Sequence, residues 1–594
     1  MINRVWTAFR RAAGLVAVGV CLWALVAGGP ARAVEPVEGP TLTIGITQFP
    51  GNFHPAIDAM MAKKYILSLT RRPLTAYDAD WHLVCLLCEE LPTLENGGAR
   101  LEDIPPEESG LGDGKGMAVT YTLKAGARWG DGIPVSTRDV VFAWQVGRHP
   151  DSGITNGELY RRIRAVEVHD GRTFTLHLDR VSFKYNALND FKVLPAHIER
   201  VRFEADPARY RTLSAYERTT EAPGLYFGPY RVERVTPGVS VSLVRNETWW
   251  GKPPVFGRIV VKAIENTSAL EANLLSGSID MIAGELGLTI DQALALERRH
   301  GDRFQFLYRP GLVYEHLDAR LDDPILRDVR VRQALMYGLD RELITGQLFE
   351  GRQPVAHGPV SPLDPMYAAE GVPHYQYDPA RAKVLLEDAG WHADPSGVRR
   401  NADGEPLRLT LATTAGNRIR ELVQQVLQSQ WRTIGVEVRI DNQPPRVLFG
   451  QGLSRRTFQG LALFAWISSP DNVPRTTLHS AMIPSADNGW AGQNYTGFAN
   501  PEMDRLIDAL EVELDPAARA ALWRDLQALY AERLPALPLY FRANTHVLPR
   551  WLEGVRPTGH QDPTTLWVED WRIGPGGPLD GSGGGLLDGS GGDP

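Results

Sequence analysis

Cysteine is scarce in this sequence, with three in 594 residues, which excludes a disulfide-built scaffold. Cys21 lies inside an N-terminal apolar run, so only Cys85 and Cys88 fall in the body of the chain, as a C-x-x-C. In an oxidising compartment the simplest reading of that pair is a short local disulfide. A zinc site would need further ligands, and none stands nearby at a matching spacing. A redox pair would open a helix after a strand, whereas Cys85-Leu86-Leu87-Cys88 runs into Glu89-Glu90-Leu91-Pro92, where the proline limits any helix. The two cysteines are therefore assigned a structural role. Positive charge is not in excess either: 63 Lys and Arg face 71 Asp and Glu, so nucleic acid is excluded as a partner. Catalytic signatures are missing as well. There is no G-x-S-x-G, no H-E-x-x-H, no calcium loop and no dinucleotide glycine pattern, and Gly114-Lys115 lacks the hydroxyl residue that would complete a phosphate loop. The 14 histidines and many serines stand at no spacing that singles out a nucleophile and its base. An enzyme is disfavoured, and neither a metal nor a cofactor is expected.

What is present begins with an export signal. Arg4, Arg10 and Arg11 precede an apolar run from Ala12 to Ala27, then Gly28-Gly29-Pro30 and the small-residue pattern Ala31-Arg32-Ala33. That order describes a secretory signal peptide cleaved after Ala33. The run is short for a span of about 20 residues, and glycine and proline interrupt it. Cys21 follows Val20 rather than a small residue, so lipid anchoring is not expected. Removing residues 1–33 takes away four arginines and no acids, lowering the net charge from −8 to −12. No later run is long enough to span a membrane, which places the mature chain in the periplasm as a soluble protein. Its length predicts roughly three or four domains.

Along the chain, strand and helix patterns alternate irregularly. Leu42–Ile46 alternates as a strand does and breaks at Phe49-Pro50-Gly51-Asn52. Leu94–Gly116, rich in Gly, Pro, Glu and Asp, reads as an exposed loop. Val119–Leu123 reads as a strand, Trp129-Gly130-Asp131-Gly132 as a turn, and Ser136 with Asp139 as the capping box of the next helix, with Val135 able to staple onto Val140. Strands follow at 239–244 and 259–261 and a helix at 269–276. Helical periodicity predicts one helix over 329–348 and others over 379–389, 418–434, 501–513 and 516–533. Strands are predicted at 436–440 and 536–541. From Gly574 onward the chain is Gly, Pro, Ser and Asp around the repeat Leu-Asp-Gly-Ser-Gly-Gly, which predicts disorder. The fold class is α/β, with mixed β-sheets flanked by helices.

The run from Tyr121-Thr122-Leu123-Lys124-Ala125-Gly126-Ala127-Arg128-Trp129-Gly130-Asp131-Gly132 to Asp139-Val140-Val141-Phe142-Ala143-Trp144 resembles the hallmark of family 5 extracellular solute-binding proteins. Those are receptors of oligopeptide, dipeptide and nickel importers driven by ATP-binding cassettes. Similar matches stand at Gly228–Val232, Trp249-Trp250-Gly251, Leu275–Asp280, Asp328–Leu335 and Asn500–Asp504. They run in order over nearly the whole chain after the signal. The resemblance implies a two-lobed periplasmic binding protein fold with three domains. Domain I would take 34–70, 190–307 and 530–575, domain II 71–189 and domain III 308–529, with 576–594 as the glycine-rich tail. It also implies a peptide or peptide-like solute enclosed by lobe closure, and an importer permease in the inner membrane as partner.

In peptide-binding relatives a domain III segment carries a tryptophan and, three residues on, an aspartate that pairs with the ligand's ammonium group. Phe464-Ala465-Trp466-Ile467-Ser468-Ser469-Pro470-Asp471-Asn472 resembles it. Trp466 matches the tryptophan, but Ser469 stands where the aspartate is expected. Since an unpaired buried ammonium costs several kcal/mol, either Asp471 takes over the charge or the solute lacks a free amine. Further candidates are Ser468, Asn494, Tyr495, Tyr314 and His316, which would give aromatic walls with a few polar groups. Phe49 and Asn52 could reach the cleft from the other lobe. For each aromatic residue, ordinary core packing is an equal alternative, and turn chemistry is an alternative for Phe49 and Asn52. His357, alone in a Pro- and Gly-bounded loop, is given a loop role rather than a metal. Two other functions stay open: a binding protein of the same fold that serves sensing or chaperoning, and an exported hydrolase. A monomer is expected.

Overall fold

The computed structural model describes residues 39–578. The expected signal peptide and cleavage site lie outside the described residues, as does the tail from 579 onward.

Among the described residues the main sheet has ten strands. From one edge the order is Glu437–Ile440, Arg408–Ala412, Leu461–Ile467, Phe304–Ala319, Ala536–Pro549, Met281–Ile282, Thr41–Ile46, Arg258–Ala263, Ser240–Arg245 and Tyr230–Thr236. Parallel and antiparallel pairings mix. Thr41–Ile46 runs parallel to both neighbours, and its Leu42, Ile44 and Ile46 are buried, as a strand inside a mixed sheet requires. A separate four-stranded antiparallel sheet holds Ala99–Asp103, Lys115–Thr122, Thr173–Leu178 and Ile163–Val168.

Two large hydrophobic cores flank this framework. One gathers Leu42, Tyr65, Tyr121, Trp129, Phe174, Tyr226 and Trp571. The other gathers Leu317, Leu335, Phe349, Leu411, Trp431, Leu463 and Leu537. The strands Phe304–Ala319 and Ala536–Pro549 run from one core to the other as an antiparallel pair. Their register shifts between Pro310 and Tyr314, so the ladder is interrupted at the point where the chain leaves one core for the next.

The turn at 129–132 feeds its helix as its residues dictate. Gly132 takes φ +88°, and the buried Asp139 carboxylate accepts from Ser136 N–H at 2.9 Å, Ala196 N–H at 2.9 Å and Trp129 Nε1 at 3.2 Å. The resulting helix is Thr137–Arg148. Cys85 and Cys88 are joined as a disulfide, with Cα atoms 5.4 Å apart.

Two local expectations are corrected. Leu94–Gly116 is not loop throughout, because Ala99–Asp103 pairs with Lys115–Thr122 as an edge strand. Its side chains are mostly exposed, so the strand is held by ladder hydrogen bonds and carries no apolar stripe to betray it. The helix expected over 329–348 is two, Val329–Tyr337 and Arg341–Phe349. Asp340 accepts from Leu343 N–H at 2.8 Å and starts the second helix as its N-cap.

Candidate ligand-binding cleft

Strand alternation builds the first part of the site. In Phe304–Ala319, residues 314, 316 and 318 share one face, and antiparallel pairing sets Tyr314 opposite Trp466 and His316 opposite Phe464. The Tyr314 and His316 rings stack with centroids 4.8 Å apart. Tyr495 leans on Trp466 at 5.6 Å and on Phe464 at 6.4 Å. Tyr530 on the helix Pro516–Arg533 donates to Ala536 O at 3.2 Å, which leaves its oxygen to accept from Tyr314 at 3.0 Å. Burial holds both phenols un-ionised, pushing their pKa values well up. Tyr314, His316, Trp466 and Tyr530, with Asp318, Trp523, Thr476 and Gln493, line a cavity of about 100 Å³.

The second part lies between the two cores. In Leu461–Ile467 the alternate residues Leu461 and Leu463 are buried in the second core, and Ile467 continues the same face past its edge. With no core left to cover it, Ile467 is 78% exposed. Besides lining the small cavity, it faces two further spaces. One, of about 480 Å³, is shared by Ser468, Ser469 and Asn472 with Tyr77, Lys184 and Asn189 from the opposite side. The other, of about 410 Å³, runs toward Lys63, Lys64, Arg72, Lys192, Asp562 and Leu566.

A polar bridge spans the cleft. Lys184 Nζ donates to Pro470 O at 3.2 Å, Phe183 N–H to Glu511 O at 3.2 Å, and the Arg519 guanidinium lies 5.0 Å from the Phe183 ring centroid. Asp471 takes a left-handed backbone, φ +54°, and its N–H donates to Asp364 Oδ2 at 3.3 Å. Burial, opposed by the Met366 N–H and reinforced by the charge of Asp471, pushes Asp364 up to about 6. Burial pulls Lys184 down, against the attraction of Asp471, Asp364 and Asp190. Burial and then the charge of Asp471 push Tyr77 up.

The sequence candidates thus divide. Trp466, Ser468, Tyr314 and His316 line the small cavity, Ser468 and Ser469 line the cleft, and Tyr495 packs on Trp466. Asp471 belongs to the bridge. Asn494 is fully buried and spends its amide inside its own loop, donating to His479 O and Phe498 O and accepting from Phe498 N–H and Thr496 Oγ1. Phe49 packs edge-on to Phe53. Asn52 is held by Asp58, Lys63 and the His54 N–H, and neither Phe49 nor Asn52 is among the residues lining these cavities. His357 stacks on His374 at 3.9 Å. Sequence reasoning missed Ile467, Lys184, Asp318 and Asp364. Only Ile467 carried a signal, as the last apolar residue of a strand that outruns its core.

Two cores joined by a pair of crossing strands, with a lined cleft between them, define a solute-binding protein by class. The chain belongs to the bacterial extracellular solute-binding proteins, family 5, whose middle-region profile matches residues 113–483. It is 25% identical over 530 residues to the oligopeptide-binding protein AppA of Bacillus subtilis, covering 88% of this chain and 90% of that one. The solved oligopeptide-binding protein of Thermus thermophilus, complexed with a pentapeptide, is 29% identical with a TM-score of 0.65, covering 89% of this chain and 96% of that one. NikZ of Campylobacter jejuni, in complex with Ni(L-His), is 22% identical with a TM-score of 0.67 over 89% of this chain and 99% of that one, and shares the fold.

Proposed function

We propose that this chain is the extracytoplasmic receptor of an importer driven by an ATP-binding cassette, and that it captures a peptide or peptide-like solute between two lobes for delivery to the membrane permease. One observation carries the reading: an exposed isoleucine and two serines at the end of a core strand face a cleft whose opposite wall supplies tyrosine, lysine and arginine. An apolar anchor, hydroxyls and cations suit the side chains, backbone and carboxylate of a peptide. In this reading 34–70, 190–307 and 530–575 form one domain, 71–189 a second and 308–529 a third, with the first two making one lobe. The strands Phe304–Ala319 and Ala536–Pro549 act as the hinge, and closure excludes water and strengthens the hydrogen bonds to the solute. The oligopeptide-binding relatives support the cargo class. The mature receptor begins at Val34 and works as a periplasmic monomer without catalysis.

Protein denatured, stripped of carried-over solute and refolded will show a melting temperature that rises with the concentration of di- and oligopeptides. If sugars, opines or nickel stabilise it and no peptide does, the peptide reading is wrong while the receptor reading stands.

A further inference from the structure

The cavity of about 410 Å³ that Ile467 faces has an unbalanced set of charges. Five cations line it, Lys63, Lys64, Arg71, Arg72 and Lys192, against three acids, Asp58, Asp190 and Asp562. Each acid already has a cation. Asp58 accepts from the Arg211 guanidinium, 3.2 Å from Nη1, Asp190 pairs with Lys192 at 3.2 Å and Asp562 with Lys64 at 3.2 Å. Arg72 finds its acid outside the lining, Glu569 at 2.6 Å. With these ion pairs drawn, Lys63 and Arg71 are left over.

Both are buried, at 3% and 7% exposed, and the hydrogen-bond partners they have among the described residues are neutral. Lys63 Nζ donates to Asn52 Oδ1 at 3.1 Å and to Ile57 O. Arg71 donates to the Tyr216 hydroxyl at 3.0 Å and to Val193 O. An ammonium has three N–H groups and a guanidinium five, so these bonds saturate neither. The charges act on one another across the site. Burial and then the charges of Lys63 and Arg71 hold the pKa of His54 well down. Burial pulls Lys63 down to about 8, opposed by Asp58 and helped by Arg211 and Lys192. The remaining wall is apolar, with Met60, Met61, Leu67, Phe191 and Leu566, which leaves the two cations poorly screened. A buried charge without a counter-charge is strongly disfavoured, so two of them on one cavity call for two negative charges inside it.

We infer that this cavity receives an end of the solute that carries two negative charges, with Lys63 and Arg71 as its counter-ions. This rests on the peptide-receptor reading and adds to it the charge class of the cargo: a single α-carboxylate would leave one of the two cations unmatched. The dianion is either a C-terminal acidic residue, whose α- and side-chain carboxylates supply one charge each, or a phosphoryl group. The apolar wall suits the stem that carries it.

Calorimetric titration of stripped mature protein at neutral pH with four probes tests this. Trialanine-amide carries no negative charge, trialanine one carboxylate, Ala-Ala-Glu two carboxylates, and Ala-Ala-phosphoserine-amide a phosphoryl dianion alone. At least one dianionic probe will bind the wild type about ten-fold or more tighter than trialanine, and which of the two does so identifies the source. Lys63→Gln keeps a donor for Asn52 and Ile57 but removes the charge. With its fold checked by circular dichroism, it will cut the preference for the dianionic probe over trialanine-amide about five-fold or more. Trialanine binding the wild type as tightly as both dianionic probes overturns the inference and leaves the receptor reading intact. So does an undiminished preference in Lys63→Gln. Failure of every probe to bind overturns the peptide reading along with it. The wild-type comparison decides the matter even if the variant does not fold.

Discussion

Asp364 shows how much a single carboxyl in the bridge depends on its surroundings. It is 8% exposed, accepts from Met366 N–H at 2.9 Å and from Asp471 N–H, and faces the Asp471 carboxylate and the Lys184 ammonium. Its folded-state pKa of about 6 lies above the ordinary carboxylate value, so the folded protein binds the proton more tightly than the unfolded chain does. Its favourable contribution is complete below about pH 4 and is lost as the pH rises through about 6. Asp364→Asn, neutral at every pH, will be more stable than the wild type at pH 7 by about 2 kcal/mol and will lack the loss of stability between about pH 4 and 6. Urea unfolding at several pH values in that range checks this, and parallel profiles for the two proteins would refute it. None of this was legible in the sequence. Asp364 lies in a proline-rich loop, and only folding brings it beside Asp471, 107 residues further on.

Among the elements, the crossing strands turn on two glycines. Gly311, at the register shift, packs so close to Gly559 that a Cβ would lie 2.5 Å from its carbonyl oxygen, and Gly559 itself takes φ +76°. Leu312 N–H donates to that same carbonyl at 3.1 Å. Gly311→Ala must push the two backbones apart and will cost about 1–3 kcal/mol, read as a lowered urea midpoint, whereas Gly346→Ala, with nothing within 4 Å of the added carbon, will not. Equal effects would remove any special role for the contact. Local patterns otherwise predicted elements well where one face was apolar. The helix Pro516–Arg533 starts and stops where periodicity and its Asp515 cap place it. They failed where no apolar face existed, as in Ala99–Asp103, or where a cap interrupted a continuous periodicity, as at Asp340.

Across the molecule as a whole, the contacts of Phe183 and Lys184 with Glu511, Arg519 and Pro470 hold the two sides of the cleft together. Lys184→Ala removes a half-buried donor from the bridge and leaves the cavity behind Trp466 untouched. It will speed solute release about five-fold or more, with association changed less, because such a contact forms after the solute has docked. Stopped-flow displacement of a labelled peptide measures this, and an unaltered release rate would place closure elsewhere.

Residues close together in the chain were enough to specify the family, the alternation of strands and helices, the structural disulfide pair and the aromatic character of the segment around Trp466. Each of these is written locally, as periodicity, turn chemistry or a contiguous motif. Which of those residues face the cleft was settled by folding alone. It buried Asn494 in its own loop, left Ile467 bare beyond the edge of a core, set Asp318 in an aromatic wall and brought Lys184 against Pro470. These placements depend on strand register and on where one core ends, which are fixed by contacts between segments far apart in the chain.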